Sequence, residues 1–343
     1  MRILRLILAV ICMALLSSAS CKKPKTGGPI YPPPPSSFVK GADVSWITQM
    51  ENEGRKFYNA SGTQQDPIQI LKDLGMNSIR LRAWVNPSNG WNSTADLLSK
   101  AIRAKNLGMR IMIDFHYSDT WADPGQQAKP AAWATQDAAT LAQSVYAYTR
   151  TVLAGLKANS VTPEWVQVGN ETNDGMLWPE GKASTNMASF AAMIKAGYDA
   201  VKAEFSTAKV IVHLSNGFDN NLYRWLFDGL KANGANWDII GMSLYPSVSN
   251  WAYTNDQCLA NMINLVQRYN TPIMICEVGM PWDSPSACQS FLTDLISKTR
   301  SVPNSNGLGV FFWEPECSAA WNGYTLGAFD NSGKPTSALN AFN

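Results

Sequence analysis

The sequence predicts an α/β protein built on a closed (β/α)₈ barrel, because short apolar segments alternate with helical segments along most of the chain. The apolar segments are rich in Val, Ile, Met and Phe, a composition typical of parallel strands buried on both faces. Eight of them within roughly 300 residues suit a closed barrel better than an open sheet. The predicted strands are Val39–Val44, Ser78–Trp84, Arg110–Phe115, Trp165–Gly169, Val210–Leu214, Ile239–Leu244, Ile273–Val278 and Leu308–Trp313.

The segments between these strands have the periodicity of amphipathic helices. Helix start signals support the assignment, since Thr94 precedes Asp96 and Pro285 stands where a helix would begin. The predicted helices are Thr94–Leu107, Asp137–Leu156, Met187–Phe205, Asn255–Tyr269 and Ser286–Thr299. Each lies between two predicted strands, as a barrel of strand–helix units requires.

The N-terminal residues are predicted to be an export signal. Arg2 and Arg5 accompany the apolar stretch Ile3–Leu16, and small residues follow, which is typical of a cleaved signal peptide over residues 1–20. A cysteine at position 21 resembles the signal of bacterial lipoproteins, in which the thiol of Cys21 is lipidated and anchors the protein. The expected location is therefore the outer membrane or the cell surface, and the alternative is a secreted protein cleaved near Ser20.

Residues 21–37 are predicted to be a tether between this anchor and the barrel domain at residues 38–343. Four consecutive prolines favour polyproline II, and the neighbouring Gly, Lys and Ser residues cannot build a core. Loss of Arg2 and Arg5 with the signal leaves a nearly neutral protein, since the formal charge of the whole chain is +2. That charge gives no reason to expect nucleic acid as a partner, and contact with a membrane is expected only through the anchor.

The predicted functional site lies at the mouth of the barrel. Catalytic and binding residues of such barrels lie at the carboxyl ends of the strands. Polar and aromatic residues occur there along the whole chain, namely Asp43, Trp46, Arg80, Arg82, Trp84, Asp114, His116, Tyr117, Asn170, Glu171, Asn216, Tyr245, Glu277, Trp313 and Glu314.

Two of these residues, Glu171 and Glu277, are the predicted catalytic pair. Glu171 ends the fourth strand and Glu277 ends the seventh, so the two carboxylates face each other across the mouth. Hydrolysis of a glycosidic bond needs such a pair, because one carboxyl protonates the leaving oxygen while the other attacks or activates water. Burial and a neighbouring charge keep the acid protonated near neutral pH.

An acid directly after Asn170 on strand four and a nucleophile on strand seven resemble clan A of the glycoside hydrolases. The resemblance implies a retaining enzyme in which Glu171 is the acid/base and Glu277 the nucleophile. It also implies that Asn170 binds the sugar 2-hydroxyl, that Arg80 lies beside the nucleophile, and that Tyr245 donates a hydrogen bond to it. Retention further implies carboxyl groups about 5.5 Å apart or closer.

Several longer motifs resemble glycoside hydrolase family 53. They are KGADVSW at Lys40–Trp46, MNSIRLRAWVNP at Met76–Pro87, DFHYSDTWADPGQQAKPAAW at Asp114–Trp133, QVGNETNDGMLWPEG at Gln167–Gly181 and EVGMPW at Glu277–Trp282. The resemblance implies a retaining endo-β-1,4-galactanase that hydrolyses the β-1,4-galactan (type I arabinogalactan) side chains of pectin. No cofactor is expected, and the protein is expected to be a monomer. The alternatives are another clan A endo-β-glycanase, acting on mannan or glucan, and a catalytically silent glycan-binding lipoprotein.

Further residues at the strand ends are predicted to bind substrate. Asp114 and His116 share one strand face and point into the mouth, whereas His213 is predicted to be structural. Indole rings stack on the apolar faces of sugars, and thirteen tryptophans are present. Those expected to line subsites are Trp84, Trp121, Trp178, Trp282 and Trp313, and those expected to pack in the shell are Trp165, Trp225 and Trp237.

The cysteines and acids indicate neither zinc nor calcium. The spacing of Cys258, Cys276, Cys288 and Cys317 contains no CxxC element, which argues against a zinc site. Cys288 and Cys317 follow neighbouring strand ends, so a disulfide between them is a hypothesis for an exported protein. Some bacterial members of the resembled family bind calcium in a long loop after strand seven. Here residues 279–285 contain Asp283 as their sole acid, so no metal is predicted, although Glu314 and Glu316 offer alternative ligands.

Overall fold

Eight parallel strands close into a barrel in chain order, β1 to β8, with β8 paired to β1. The computed structural model describes residues 38–318 and 321–343. Its strands are β1 Val39–Asp43, β2 Ser78–Ala83, β3 Arg110–Phe115, β4 Trp165–Val168, β5 Lys209–Leu214, β6 Ile239–Leu244, β7 Ile273–Val278 and β8 Gly307–Trp313. The predicted (β/α)₈ barrel is confirmed, and each predicted strand differs from the observed one by at most one residue at either end.

Helices surround the barrel. They are α1 Ile47–Asn52, α2 Pro67–Asp73, α3 Thr94–Asn106, α4 Ala138–Ala158, α5 Ala183–Glu204, α6 Asn220–Ala232, α7 Trp251–Tyr269 and α8 Pro285–Ser301. Short 3₁₀ helices occupy Ala131–Trp133, Pro303–Ser305 and Ser337–Phe342. All five predicted helices are present, whereas α1, α2 and α6 were not predicted.

Side-chain caps set where several helices begin. Ser93 accepts a hydrogen bond from the main-chain N–H of Asp96, so the cap of α3 lies one residue before the predicted start at Thr94. Asp137 caps α4 by accepting from the N–H of Thr140. Asp66 caps α2 in the same way, directly before a proline in the first turn. Helix α5 begins four residues earlier than predicted and has a non-helical Asn186 inside its first turn.

The lower half of the barrel interior, toward the amino ends of the strands, is filled by apolar side chains. Its buried members are Val39, Met112, Trp165, Ile211, Ile239, Met274, Cys276 and Phe311. Gly41 leaves the space that the Phe311 ring occupies, since a Cβ at Gly41 would lie 2.2 Å from that ring. A second, larger cluster packs the outer faces of the strands against the helices. The bottom of the barrel is therefore closed by hydrocarbon.

Two packing predictions are wrong. Cys288 and Cys317 are both free and buried, so the hypothesised disulfide does not form. Cys288 lies on the buried face of helix α8 rather than in a loop, whereas the main chain of Cys317 lies directly against Gly327. Trp225, predicted to pack in the shell, is 44% exposed on α6. Trp165 is buried as predicted, and Trp237 is partly buried against the outer cluster.

Predictions for the N-terminal region fall on residues that the structure does not describe. The signal peptide, the tether and Cys21 all precede residue 38. Within the described ranges, no helix combines the length and the apolar character that crossing a membrane would require.

Candidate active site

The upper half of the barrel interior, toward the carboxyl ends of the strands, is polar. Inward-facing side chains of seven consecutive strands form this layer, all of them at most 6% exposed. They are Asp43, Arg80, Arg82, Asp114, Gln167, His213, Ser243 and Glu277. The alternation of side chains along each strand, which places every second residue on the inner face, accounts for all of these positions except that of Glu277. This layer is called the polar layer below.

Arg80 is the central cation of the polar layer. Its guanidinium lies 2.7 Å from Asp43, 2.9 Å from Asp114 and 2.8 Å from Glu277. Burial alone would lower the pKa of Arg80, but the charges of Asp114, Glu277 and Asp43 raise it well above its ordinary value. Arg80 therefore stays charged and holds carboxylates from three strands in fixed positions.

A β-bulge turns Glu277 toward the interior. On β7, Met274 and Cys276 contact the apolar lower half of the interior, so strict alternation would direct the next residue outward. The ladder shifts here, since Met242 pairs with Ile275 but the following residue of β6, Ser243, pairs with Glu277. One extra residue on β7 thus re-aims the carboxylate into the mouth. There the hydroxyl of Tyr245 donates a hydrogen bond to it over 3.0 Å.

Glu171 is reached by a sharp turn after β4. Gly169 has φ +83°, and a Cβ there would lie 2.5 Å from Thr172, so a glycine is required. Glu171 itself has φ 42°, an uncommon conformation for a residue with a side chain. The main-chain N–H of Thr172 anchors the turn by donating to the carbonyl of His213 over 2.9 Å. The turn places the Glu171 carboxyl beside the polar layer.

The two catalytic candidates have different electrostatic surroundings. Burial raises the pKa of Glu171, against the lowering effects of a Ser243 hydrogen bond and of the Arg80 charge. Burial also raises the pKa of Glu277, with Arg80 opposing the change and the Glu171 charge adding to it. Arg80 and Tyr245 bind the carboxyl of Glu277 directly, and this geometry favours the negative charge on Glu277 and the proton on Glu171.

Asn170 and Gln167 join the two sides of the site. The Oδ1 atom of Asn170 accepts hydrogen bonds from Arg80 over 3.0 Å and from Gln167 over 3.1 Å. The side-chain amide of Asn170 donates to the carbonyl of Ala122 over 2.8 Å. Gln167 also accepts from Arg80 and donates to Asp114. The side chain of Asn170 is therefore oriented before any ligand enters.

Asp114 and His116 lie together on the third strand's side of the mouth. The Nδ1 atom of His116 accepts hydrogen bonds from the indole of Trp84 over 3.3 Å and from the N–H of Ala122 over 3.1 Å. Its Nε2 atom therefore bears the hydrogen and donates to Asp114 over 3.1 Å. Burial lowers the pKa of His116 despite the Asp114 charge, which keeps the ring neutral.

A cavity of about 370 Å³ opens above both carboxyls. Its lining comprises His116, Trp121, Ala122, Asp123, Asn170, Glu171, Ser215, Tyr245, Glu277, Trp313, Tyr324 and Leu326. Most of the residues predicted to form the site therefore line this one cavity, and three do not. Arg80 and Asp114 lie beneath the cavity floor, and Trp84 lies outside the lining.

A second cavity of about 480 Å³ continues the cleft toward β1 and β2. Trp121 and Tyr324 belong to both cavities, and Trp46 and Trp84 line the second. The guanidinium of Arg82 lies beneath these rings, 4.3 Å from the Trp121 centroid and 5.2 Å from that of Trp84. Trp178 and Trp282, predicted to line subsites, belong to neither cavity.

Several residues of the site were not predicted from the sequence. Tyr324 and Leu326 come from the segment after β8, which has no periodicity that would place it over the mouth. Ser243 was detectable, because it stands two residues before Tyr245, a predicted site residue, and side chains alternate along a strand. Within residues 38–318 and 321–343, no cluster of three or more His, Cys, Asp or Glu side chains is arranged to hold a metal ion.

The barrel and its two buried carboxyls, one of which is bound by an arginine, are typical of the class of glycoside hydrolases with paired catalytic acids. Comparison with known sequences narrows that class. Residues 39–342 match the profile described as glycosyl hydrolase family 53, and the chain belongs to this family.

Relatives and solved structures agree with this assignment. A probable arabinogalactan endo-beta-1,4-galactanase A of Aspergillus terreus is 36% identical, over 80% of this chain and 85% of its own length. The arabinogalactan endo-beta-1,4-galactanase of Cellvibrio japonicus is 33% identical, over 89% of both chains. Among solved structures, a fungal beta-1,4-galactanase superposes with a TM-score of 0.82 at 31% identity, covering 89% of this chain and 98% of its own.

Proposed function

We propose that the protein is a retaining endo-β-1,4-galactanase that hydrolyses the galactan of type I arabinogalactan. The observation that supports this most strongly is the unequal pair, in which Glu277 is bound by Arg80 at 2.8 Å, whereas Glu171 forms no ion pair within the part of the chain that the structure describes. The linkage and the sugar are proposed from the family and from the activities that its relatives' names state.

The first half of the reaction transfers the sugar to the enzyme. The carboxylate of Glu277 attacks the anomeric carbon while the carboxylic acid of Glu171 protonates the glycosidic oxygen. The bond between that carbon and oxygen breaks, and the leaving chain departs with a new hydroxyl group. Arg80 and Tyr245 keep Glu277 ionised and aimed. Asn170, already oriented, is placed to bind the 2-hydroxyl, where the interaction strengthens as charge develops.

The second half returns the enzyme to its starting state. Glu171, now a carboxylate, takes a proton from a water molecule, whose oxygen attacks the anomeric carbon and displaces Glu277. Two displacements restore the original configuration at that carbon. The tryptophan-lined cleft extends beyond the reacting bond through the second cavity, which suits binding of an internal stretch of a polysaccharide.

Release of reducing sugar tests this proposal. We expect the protein to act on potato galactan and to leave β-mannan and β-glucan largely intact, with Glu277→Gln inactive. A suitable control is Glu164→Gln, because Glu164 precedes β4 at the opposite end of the strand that leads to Glu171 and pairs with Arg110. Activity on mannan alone, or equal release by Glu277→Gln, would show that the proposal is wrong.

We propose, further, that a lipid on Cys21 attaches the protein to the outer membrane or cell surface. The support is the order of charged, apolar and small residues before Cys21. Cells that express the full chain should retain it in the membrane fraction and label it with radioactive palmitate. Cys21→Ser should abolish the label and release the protein, whereas unchanged fractionation would contradict the anchor.

A further inference from the structure

Arg82, an inward-facing residue of β2, lies beneath a cluster of four indole rings. The ring centroids lie between 4.3 and 6.0 Å from its guanidinium carbon, the range of cation–π contacts. Trp46 follows β1, Trp84 follows β2, Trp121 lies in the loop after β3, and Trp313 ends β8. One side chain thus contacts rings from four strand ends, and no step of the proposed mechanism uses it. These four rings are called the indole cluster below.

Hydrogen bonds satisfy little of the Arg82 guanidinium. The group has five N–H donors and carries a positive charge. Its Nη1 atom lies 3.4 Å from the carboxyl of Glu314, longer than an ordinary N–H···O hydrogen bond. Its Nε and Nη2 atoms are buried and have no hydrogen-bond partner among the residues that the structure describes. The π faces of the indole cluster are therefore the main partners of this buried cation.

The other arginine of β2 has different partners. The guanidinium of Arg80 contacts three carboxylates at 2.7 to 2.9 Å, including that of the proposed nucleophile. The guanidinium of Arg82, two residues further along the strand, contacts one carboxyl at 3.4 Å and four rings. Arg80 thus orients carboxylates, whereas the contacts of Arg82 are suited to orienting aromatic rings.

The indole cluster forms a wall that both cavities of the cleft share. Trp121 and Trp313 line the first cavity, and Trp46, Trp84 and Trp121 line the second. Neighbouring rings have centroids 5.1 to 5.9 Å apart and meet mostly edge to face. Because the rings come from four strand ends, no single main-chain segment fixes their relative tilt. Arg82, which lines neither cavity, contacts all four from beneath.

We propose that Arg82 is a positioning residue, which holds the indole cluster in the arrangement that binds the galactan chain beyond the reacting bond. The inference rests on the proposed function, because it takes galactan as the substrate. A wall that is ordered before the ligand enters loses less conformational entropy on binding, which raises affinity. Glu171 and Glu277 line the first cavity but not the second, so the gain concerns binding of the chain more than cleavage of the bond.

Arg82→Met tests the inference, because methionine keeps apolar contact beneath the rings but removes the charge. We expect KM for galactan to rise about 10-fold and kcat to stay within about threefold, the pattern of binding lost equally before and during the reaction. Arg82→Lys keeps a cation and should recover most of the affinity. Loss of Arg82 leaves the buried Glu314 carboxyl without its cation, so Arg82→Met is also combined with Glu314→Gln. The double variant should show the same raised KM.

Arg110→Met is the matched control. Arg110 also lies over an indole, 4.5 Å from the centroid of Trp165, but at the amino end of β3, away from the cleft. This variant should keep the wild-type KM and kcat. Far-ultraviolet circular dichroism and a cooperative thermal transition should show that each variant is folded.

Three results would overturn the inference. They are an unchanged KM in Arg82→Met and in the double variant, a loss confined to kcat, and equal KM values for Arg82→Met and Arg82→Lys, since the charge would then have no effect. A wild-type protein that is inactive on galactan would instead overturn the proposed function.

Discussion

The two halves of the barrel interior are built from the same sheet, but one is packed with apolar side chains and the other holds buried charges. The lower half is a close-packed apolar cluster, in which Phe311 occupies the space left by Gly41. In the upper half, Asp43, Asp114 and Glu277 surround the single guanidinium of Arg80 at 2.7 to 2.9 Å. The first arrangement stabilises the fold by burial, whereas the second places more negative than positive charge in a buried site.

This difference indicates that stability and chemistry occupy separate layers of one barrel. Strained backbone is found beside the upper layer, at Glu171 with φ 42° and at Glu314 with φ 47°. Strain and excess charge persist where the surrounding structure enforces them, and they occur here where a proton and a nucleophile are needed. Substitutions in the upper layer should therefore change the rate most, and substitutions in the lower layer should change stability alone.

The largest expected effect is on the rate of Glu277→Gln. Loss of the nucleophile should lower kcat on galactan by about 10⁴-fold or more, since residues that form a covalent intermediate contribute at this scale. The free energy of unfolding should stay the same or rise, because Arg80 keeps two other carboxylates and one buried charge is removed. Steady-state kinetics and urea unfolding check both expectations, and a large loss of stability would contradict the separation of layers.

Arg80→Met should lower both the rate of galactan hydrolysis and the free energy of unfolding. Without the cation, the buried carboxylates of Asp43, Asp114 and Glu277 have no positive partner, which should cost about 3–5 kcal/mol of unfolding free energy. The pKa of Glu277 should rise further, so activity on galactan should fall steeply at neutral pH. Urea unfolding combined with kinetics measures both losses. A folded, active variant would show that Arg80 does not organise the upper layer.

Phe311→Ala is the matching change in the lower half. The cavity that it leaves should lower the free energy of unfolding by about 3–5 kcal/mol, similar to the loss in Arg80→Met. Because Phe311 belongs to the apolar cluster and not to the polar layer, kcat should stay within about twofold of the wild-type value at temperatures where the variant is folded. Thermal unfolding and kinetics at 20 °C check this, and a tenfold loss of kcat would mean that the two layers are coupled.

The smallest expected effect belongs to Glu316, which is buried next to Glu314 in the segment after β8. Burial and the Glu314 charge raise the pKa of Glu316 well above its ordinary value, and neither of its carboxyl oxygens has a hydrogen-bond partner among the described residues. A raised folded-state pKa means that the native state binds more protons, so this group lowers stability as pH rises above the unfolded value of about 4.3. Glu316→Gln removes the ionisable group and therefore this loss of stability at higher pH.

We therefore expect Glu316→Gln to be more stable than the wild type by about 1 kcal/mol at pH 7 and equally stable at pH 4. Urea unfolding at the two pH values measures the difference. Galactan hydrolysis should be unchanged, since Glu316 does not line the cavity over the carboxyls. A variant that is less stable at pH 7 would show that the ionised carboxylate is needed in the fold.

The sequence predicted those features that depend on hydrophobic periodicity and on position at the end of a strand. Buried parallel strands have recognisable composition, and the barrel places their final residues in one mouth, so Glu171, Glu277 and Asn170 were found together. The β7 bulge was not predictable, because one extra residue in a ladder leaves no mark on an apolar segment. Ser243 was passed over and His213 was predicted to be structural, because single polar residues in strands are ordinarily structural. The Cys288–Cys317 hypothesis, which placed Cys288 in a loop, failed because Cys288 lies on the buried face of helix α8.

The most direct test of the assigned roles is the stereochemistry of azide products. Glu171→Ala still forms the glycosyl-enzyme from a 2,4-dinitrophenyl β-galactobioside, and azide should then displace Glu277 to give a β-galactobiosyl azide. Glu277→Ala has no nucleophile, so azide should attack the substrate directly and give the α product. Proton NMR of the anomeric position distinguishes the two. A β product from Glu171→Ala and an α product from Glu277→Ala is the predicted result, and the reverse pattern would contradict the assignment of acid/base and nucleophile.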